Sequence, residues 1–356
     1  MEKGFALPRA RKRYYSRDYG QELQLFRTTS QKVWLVALLA LVVCFPLLLD
    51  RYTCYIATLA LAAVIGSIGL NILTGYTGQI SIGHGAFVGV GAYSYALILA
   101  KTSLPFWLAI PLAGAISGIL GILIGVPALR MRGLYLAMAT VAFHLIMDQV
   151  VMNWESLTGG YQGLDVPNAT LAGYAVKSEA AIYYVTLFFT IALTIGAGNI
   201  TTSKIGRAFC AVRDRDLAAE AIGISLVKYK ILAFFISSVY AGVAGALMAL
   251  CLGRISPYDF GLIVSIAYIS MIIVGGAGSI FGSIIGAVLI TLLPFGLSSA
   301  SDLIQPYYPS ITTKFGDVKT LAYGLIIIVF LIWEPEGLAG RWRKVTAYFR
   351  NWPFTY

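Results

Sequence analysis

The side chains best able to do chemistry crowd into one stretch, LNILTGYTGQISIGHGAFVGVGA (70–92). Asn71, Thr74, Tyr76, Thr77, Gln79, Ser81 and His84 supply hydrogen-bond donors and acceptors there, and six glycines separate them. Groups of this kind can replace part of a polar solute's hydration without making or breaking a covalent bond. Apolar runs lie on both sides. Within hydrocarbon, irregular backbone persists only where protein buries it or a wet cavity receives it. A broken, polar, glycine-rich segment beside spanning helices is therefore the sequence mark of a translocation pathway. Asn71, Thr74, Tyr76, Gln79, Ser81 and His84 are the candidate lining of that passage or its gate. Gly75, Gly78, Gly83 and Gly85 permit the break in the backbone. A second interruption, GGAGS (275–279), answers the first and adds Gly275, Gly276 and Ser279 to the candidates.

Covalent chemistry finds little support. The chain has two histidines, His84 and His144, and four cysteines, Cys44, Cys54, Cys210 and Cys251, without metal-ligand spacing. An intramembrane enzyme would need a nucleophile–base pair or a metal cluster. The expectation is a non-enzyme with no cofactor or metal of its own. No G-x-x-x-x-G-K-S/T phosphate loop occurs, so ATP hydrolysis would fall to another subunit. His144 and Asp148 stand one helical turn apart and share a face. Ionisable residues at membrane depth point to function. A satisfied structural pair, or an Asp148 close enough to the outer surface to hydrate, is the plainer reading.

The elements that must position these residues are membrane helices. Hydrophobic residues make up 58% of the 356, charged residues 12%, and the mean hydropathy is +0.79. A soluble domain carries about twice that charge. We read an all-α membrane protein with about ten spans: 33–49, 52–73, 84–100, 106–126, 134–152, 181–198, 231–251, 262–274, 280–297 and 320–333. The first is read as a retained helix, since no cleavable signal precedes it. Of 26 Lys and Arg, eight precede the first span, two follow the fourth, six lie in 199–230 and four follow the last. Ten spans place these twenty on one side and the other six opposite, which orients both termini to the cytoplasm. The net charge of +10 is then topology and contact with anionic lipid, not nucleic-acid binding. Residues 1–32 read as a basic cytoplasmic tail, 33–340 as the transmembrane domain and 341–356 as a second tail. Gly278, Gly282 and Gly286 recur every fourth residue, as do Gly114 with Gly118 and Gly121 with Gly125, so helix backbones can approach closely.

The polar insertion NITTSKIGRAFCAVRDRDLAAEAIGISLVKYK (199–230) is too polar to enter a bilayer and too long for a tight turn. It reads as one helix from Gly206 to Ile222, with Phe209, Val212, Leu217 and Ile222 making apolar contacts and Gly223 as its stop. Such a helix either lies on the membrane or docks a cytosolic partner. Ala218 and Ala219 would let that partner approach closely, and Glu220 would accept a charged hydrogen bond.

These blocks together resemble a family. GLNILTGYTGQISIGHGAF (69–87), VPALRMRGLYLAMATVAF (126–143), SLTGGYQGL (156–164), SKIGRAFCAVRDRDLAAEAIGI (203–224), IAYISMIIVGGAGSIFGSIIGAVL (266–289) and FLIWEPEGLAGRWR (330–343) are similar to the branched-chain amino acid ABC-importer permeases, M-type subunit. The likeness covers about 60–340 and leaves out the N-terminal tail and a loop at 298–320. It implies a bacterial inner-membrane, multi-pass subunit working by alternating access. It also implies a homologous second permease, two cytosolic ATPases and an external solute-binding protein. Arg207, Arg213, Asp214, Ala218, Ala219, Glu220 and Gly223 resemble the element that engages the ATPase. The run AFHLIMDQV (142–150) departs from the family's common AFGEIVRLV, lacking that glutamate and arginine. Branched-chain or related amino acids, urea, aromatic acids and other small carboxylates all stay open as solutes. A stand-alone channel or secondary carrier is the alternative of a different class.

Overall fold

Helix α1 (Arg51–Leu70) is apolar all round, and from Ala62 to Leu70 every residue is buried. A helix with no polar face belongs at the centre of a bundle. The computed structural model places it there, and it describes residues 40–46, 50–131, 133–167, 170–171, 174–175, 178–304, 321, 324–325, 327–330, 332–334 and 336–351. By contact the chain divides into Met1–Leu49, of which 40–46 are described and helical, and Asp50–Tyr356. In the second unit α1 is followed by α2 (His84–Lys101), α3 (Phe106–Ala128), α4 (Leu134–Asn153), α5 (Glu179–Thr202), α6 (Lys204–Asp214) and α7 (Asp216–Ala221). Then come α8 (Leu226–Leu252), α9 (Leu262–Gly275), α10 (Ile280–Ile304) and α11 (Gly337–Asn351).

Two helices organise the rest. Helix α8 packs against α3, α2 and α1, while α1 also touches α5 and α10. Small residues make these contacts close. A Cβ added to Gly91 of α2 would strike the backbone of Gly242 on α8, and one added to Gly245 would strike the carbonyl of Val88. Gly114, Gly118, Gly121 and Gly125 form the face of α3 that rests on Val239, Val243, Phe235, Ser238 and Phe234 of α8. Close backbone approach is how membrane helices gain packing when lipid tails supply no net hydrophobic drive. The small-residue repeats of this chain therefore serve contacts within it. By contrast, α4 exposes Leu134, Tyr135, Met138, Leu145 and Ile146, surface suited to lipid or another subunit.

The little sheet present lies outside the bundle. Residues β1 (Leu164–Asp165) and β4 (Arg254–Ile255) pair antiparallel, and β2 (Thr170–Leu171) pairs with β3 (Tyr174–Ala175). The Arg254 guanidinium ties this lobe together, donating to Gln162 O at 2.9 Å and lying 3.6 Å from Asp165.

Among the described residues, seven helical stretches are long and apolar enough to cross a membrane, among them Arg51–Tyr76, Leu226–Leu252 and Ile280–Ser299. The expected spans from 52–73 to 280–297 each coincide with a helix, α1 to α5 and α8 to α10. Most of 33–49, part of 320–333 and the whole tail 1–32 lie outside the described residues. One expectation needs correction: helix α10 continues through Ser298 to Ile304, within the stretch 298–320 expected as a loop, and Ser298 Oγ bonds back to Pro294 O at 2.9 Å. The expected tail from 341 is helical as far as Asn351.

Replacing Gly242 with Leu should lower the thermal unfolding midpoint of the detergent-purified chain, at an overpacking penalty of about 1–3 kcal/mol. Gly296, with nothing within 4 Å of its would-be Cβ, is the control. Gly296→Ala should match or slightly exceed the parent, because alanine favours helix by about 1 kcal/mol.

Candidate functional site

The first interruption begins inside a helix. At Asn71 the ladder of α1 widens into a π-turn that runs to Tyr76, so one rod of 26 residues ends in an irregular tip. π-Turns of this kind concentrate at functional positions. The tip satisfies its backbone from within: Thr77 Oγ1 donates to Ile72 O (2.9 Å), Thr74 Oγ1 to Gln79 O (3.0 Å), and Gln79 N–H to Leu73 O (3.1 Å). Neighbouring helices satisfy the residues beyond the tip. Ile82 N–H donates to Thr140 Oγ1 of α4 (3.0 Å), and Gly85 N–H to Ser265 Oγ of α9 (2.8 Å).

Asn71 joins this tip to the second interruption. Its Nδ2 donates to Ser279 O (2.9 Å) and Ser283 Oγ (2.6 Å), and its Oδ1 accepts from Gly278 N–H (2.8 Å). The carboxamide uses donor and acceptor together, which neither a hydroxyl nor a carboxylate could do at the same reach. Glycine makes the approach possible, since a Cβ on Gly75 would collide with Asn71 Oδ1 and Gly278 N. Gly275 packs on Gly282 and Gly286, and Gly276 (φ 116°) faces Glu336 O and Ala339 at the start of α11. Tyr76 interacts with Thr201 of α5 and with the Ile280 backbone. One end of the bundle thus gathers the tip of α1, the α9–α10 break, α5 and α11.

The polar insertion lies at the same end. The structure divides the expected 206–222 helix at Arg215, whose extended backbone (φ −156°, ψ 103°) separates α6 from α7. Phe209 and Val212 hold α6 against the bundle. Helix α7 ends in a Schellman arrangement, with Ile224 N–H bonded to Ala219 O (3.0 Å) and Gly223 N–H to Glu220 O (2.9 Å). Gly223 has φ 88°, the left-handed value this motif requires. Leu217 and Ile222, expected to pack, are 68% and 77% exposed, and Ala218 and Glu220 are also exposed. Ala219, by contrast, is 2% exposed and packs against its own chain.

These features have a known setting. The family described as branched-chain amino acid transport system / permease component matches residues 52–332. The chain belongs to this permease family. It is 31% identical over 335 residues to the high-affinity branched-chain amino acid transport system permease protein LivM of Salmonella typhimurium, covering 87% of this chain and 75% of that relative. LivM of Escherichia coli K12 aligns equally well. LivH of Salmonella typhimurium, a permease protein of the same named system, is 27% identical over 307 residues, 80% of this chain and 93% of the relative. No solved structure matches the chain. The permease is a multi-pass membrane subunit of an ABC importer that includes a second permease, and it is not an enzyme.

The permease gathers some of the sequence candidates and separates others. Asn71, Gly275, Gly276 and Ser279 meet at the joined breaks, together with Arg213 of α6, whose Nη1 donates to Gly75 O (3.0 Å). Arg207 turns back to the Thr202 carbonyl (3.2 Å) and caps α5. Asp214 is exposed and paired to Arg213. His84 sits apart, fully buried, with Nε2 2.9 Å from Gly66 O and its ring edge-on to Tyr268 (5.1 Å). Gln79 Nε2 and Ser81 Oγ are buried without a protein partner, as are the Tyr93 and Tyr95 hydroxyls and Ser238 Oγ. His144 Nδ1 meets Ser265 Oγ (3.2 Å), and its Nε2 lies 3.4 Å from Asp148 without hydrogen-bond alignment. Sequence reasoning missed Ser265, Thr140 and Ser283, isolated hydroxyls in apolar helices that carry no local signature. Among the described residues no cluster of His, Cys, Asp and Glu could hold a metal.

Asn71→Leu keeps the volume but strands Gly278 N–H and takes one partner each from Ser279 O and Ser283 Oγ, which stay bonded to each other. Each buried orphan costs about 1–3 kcal/mol, so the variant should unfold well below the parent in detergent. Thr74→Val removes a single bond and should cost about 1 kcal/mol. Equal midpoints for the two variants would contradict the joining role of Asn71.

Proposed function

We propose that this permease moves branched-chain or related amino acids across a bacterial inner membrane, receiving them from an external solute-binding protein. Two cytosolic ATPases drive it through the α6–α7 pair, and the second permease completes the passage. The observation that carries this reading is the pairing of one exposed polar helix, α7, with an α6 that touches the interrupted segments directly. A channel or secondary carrier would have no use for such a connection. The named systems of the LivM and LivH relatives support the choice of solute. Gln79 and Ser81, buried and unpartnered, are the groups assigned to the solute or its gate. Their amide and hydroxyl suit a small polar solute of either charge pattern, so the binding protein sets selectivity. The positive residues of 199–230 orient α6 and α7 to the cytoplasm.

Orientation is tested by labelling. In a background without native cysteines, Tyr161→Cys should react with an impermeant maleimide on intact spheroplasts, and Leu217→Cys only after permeabilisation; the inverse pattern would sink the assignment. Both parent side chains are exposed, at 58% and 68%. Function is tested in proteoliposomes holding both permeases, the ATPases and the binding protein. Leucine uptake should require ATP and stop when the ATPases are omitted. Uptake that persists without them would make the chain a carrier. Uptake of urea or benzoate in place of leucine would replace the solute and leave the machine intact.

A further inference from the structure

Arg213 occupies a position that docking to an ATPase does not explain. It lies in the last turn of α6, and its guanidinium turns inward. Nη1 donates to Gly75 O in the π-turn at 3.0 Å. The same Nη1 would stand 3.2 Å from a Cβ on Gly278, at the second break. The stem of Arg213 rests on Gly78, whose φ is 74° and whose would-be Cβ comes within 2.9 Å of Arg213 Cγ. Two glycines, Gly78 on one break and Gly278 on the other, therefore leave the space this side chain fills. Asp214 holds the opposite edge of the guanidinium, with Nε and Nη2 both 3.1 Å from Oδ1. Asn71 fastens the two breaks to each other from the far side.

We propose that Arg213 is the positioning residue that couples α6 to both interrupted segments, a latch whose release and re-formation carries the movement of the ATPase-facing helices to the ends of α1 and α9–α10. The proposal rests on the reading of α6–α7 as the ATPase-facing element. The chemistry suits a latch. A guanidinium is planar and carries five donors, so it can serve Asp214 and Gly75 at once. A lysine at 213 keeps the charge but has no second edge to offer. The side chain is 40% exposed, so water can replace the Gly75 contact when α6 moves. A fully buried guanidinium would be too costly to release.

The test uses the assembled importer in proteoliposomes and measures ATP hydrolysis and leucine uptake together. Arg213→Gln should keep the ATPases bound and hydrolysis within twofold of the parent, yet lose at least tenfold in uptake. Arg213→Lys should fall between. Leu217→Asp and Glu220→Lys, on the exposed face of α7, should instead shed the ATPases, so hydrolysis coupled to the complex and uptake fall together. If Arg213→Gln sheds the ATPases as they do, or transports normally, the latch is overturned and the docking reading stands. If the α7 variants change nothing, the docking reading itself fails. A measurement on the unmutated importer guards against misfolded variants. Phenylglyoxal modification of Arg213, read by peptide mass spectrometry, should differ at least threefold between nucleotide-free and ATP–vanadate-trapped complexes. Equal modification in the two states would overturn the proposal.

Discussion

Asn71 and Ser279 are 208 residues apart in sequence, yet one carboxamide holds them together with three hydrogen bonds to Gly278, Ser279 and Ser283. The arrangement at that end of the bundle depends on this contact. Each break leaves backbone groups that a helix would have satisfied, and a bilayer offers no water to take them. The protein answers each differently: the tip of α1 bonds its own backbone from within, and the Asn71 side chain serves the second break. Glycine is required at the meeting point because any side chain on Gly75 would displace the amide. The consequence is mechanical as well as energetic: the tip of α1 and the α9–α10 turn are one body, not two hinges.

That body is surrounded by elements with different freedom. Helix α8 packs backbone to backbone against α2 through Gly91, Gly242 and Gly245, and α1 lies buried beside it at the centre. Helix α6 grips the centre through Phe209 and Val212, while α7 presents Leu217 and Ile222 to solvent. Exposed apolar side chains on a short polar helix suit a partner surface better than water. Arg213 lies between these regimes, one edge on the joined breaks and one on Asp214. The extended residue Arg215 joins α6 to α7, and α7 also meets α8 directly, with Asp216 3.8 Å from Lys230.

Much of this was legible before the structure. The polar glycine-rich stretch and the GGAGS break announced themselves by composition, and Gly78 and Gly223 have the positive φ that their contexts required. The division of residues 206–222 was not legible, because helix propensity alone carries through Arg215 and only tertiary packing breaks it. The burial of Ala219 was hidden for the same reason: helical spacing gives a face, and it does not say which face meets the bundle. Asn71 stands out in the sequence as a candidate lining of a passage, and in the structure its hydrogen bonds go to Gly278, Ser279 and Ser283. A polar side chain at membrane depth signals an unsatisfied partner, and sequence cannot tell a solute from a distant backbone. Gln79 and Ser81 carry the opposite outcome, buried polar groups with no protein partner.

The claim that the two breaks move as one body is open to direct measurement. Ile80 and Phe281, one beside each break, are 44% and 46% exposed and accept spin labels through cysteine substitution. Pulsed electron resonance on the assembled importer would give the distance between them with and without trapped ATP. The account predicts one narrow distribution, the same in both states, because Asn71 keeps the segments joined while α6 moves against them. A second, longer population on ATP binding would mean that the breaks separate during transport, and would contradict it.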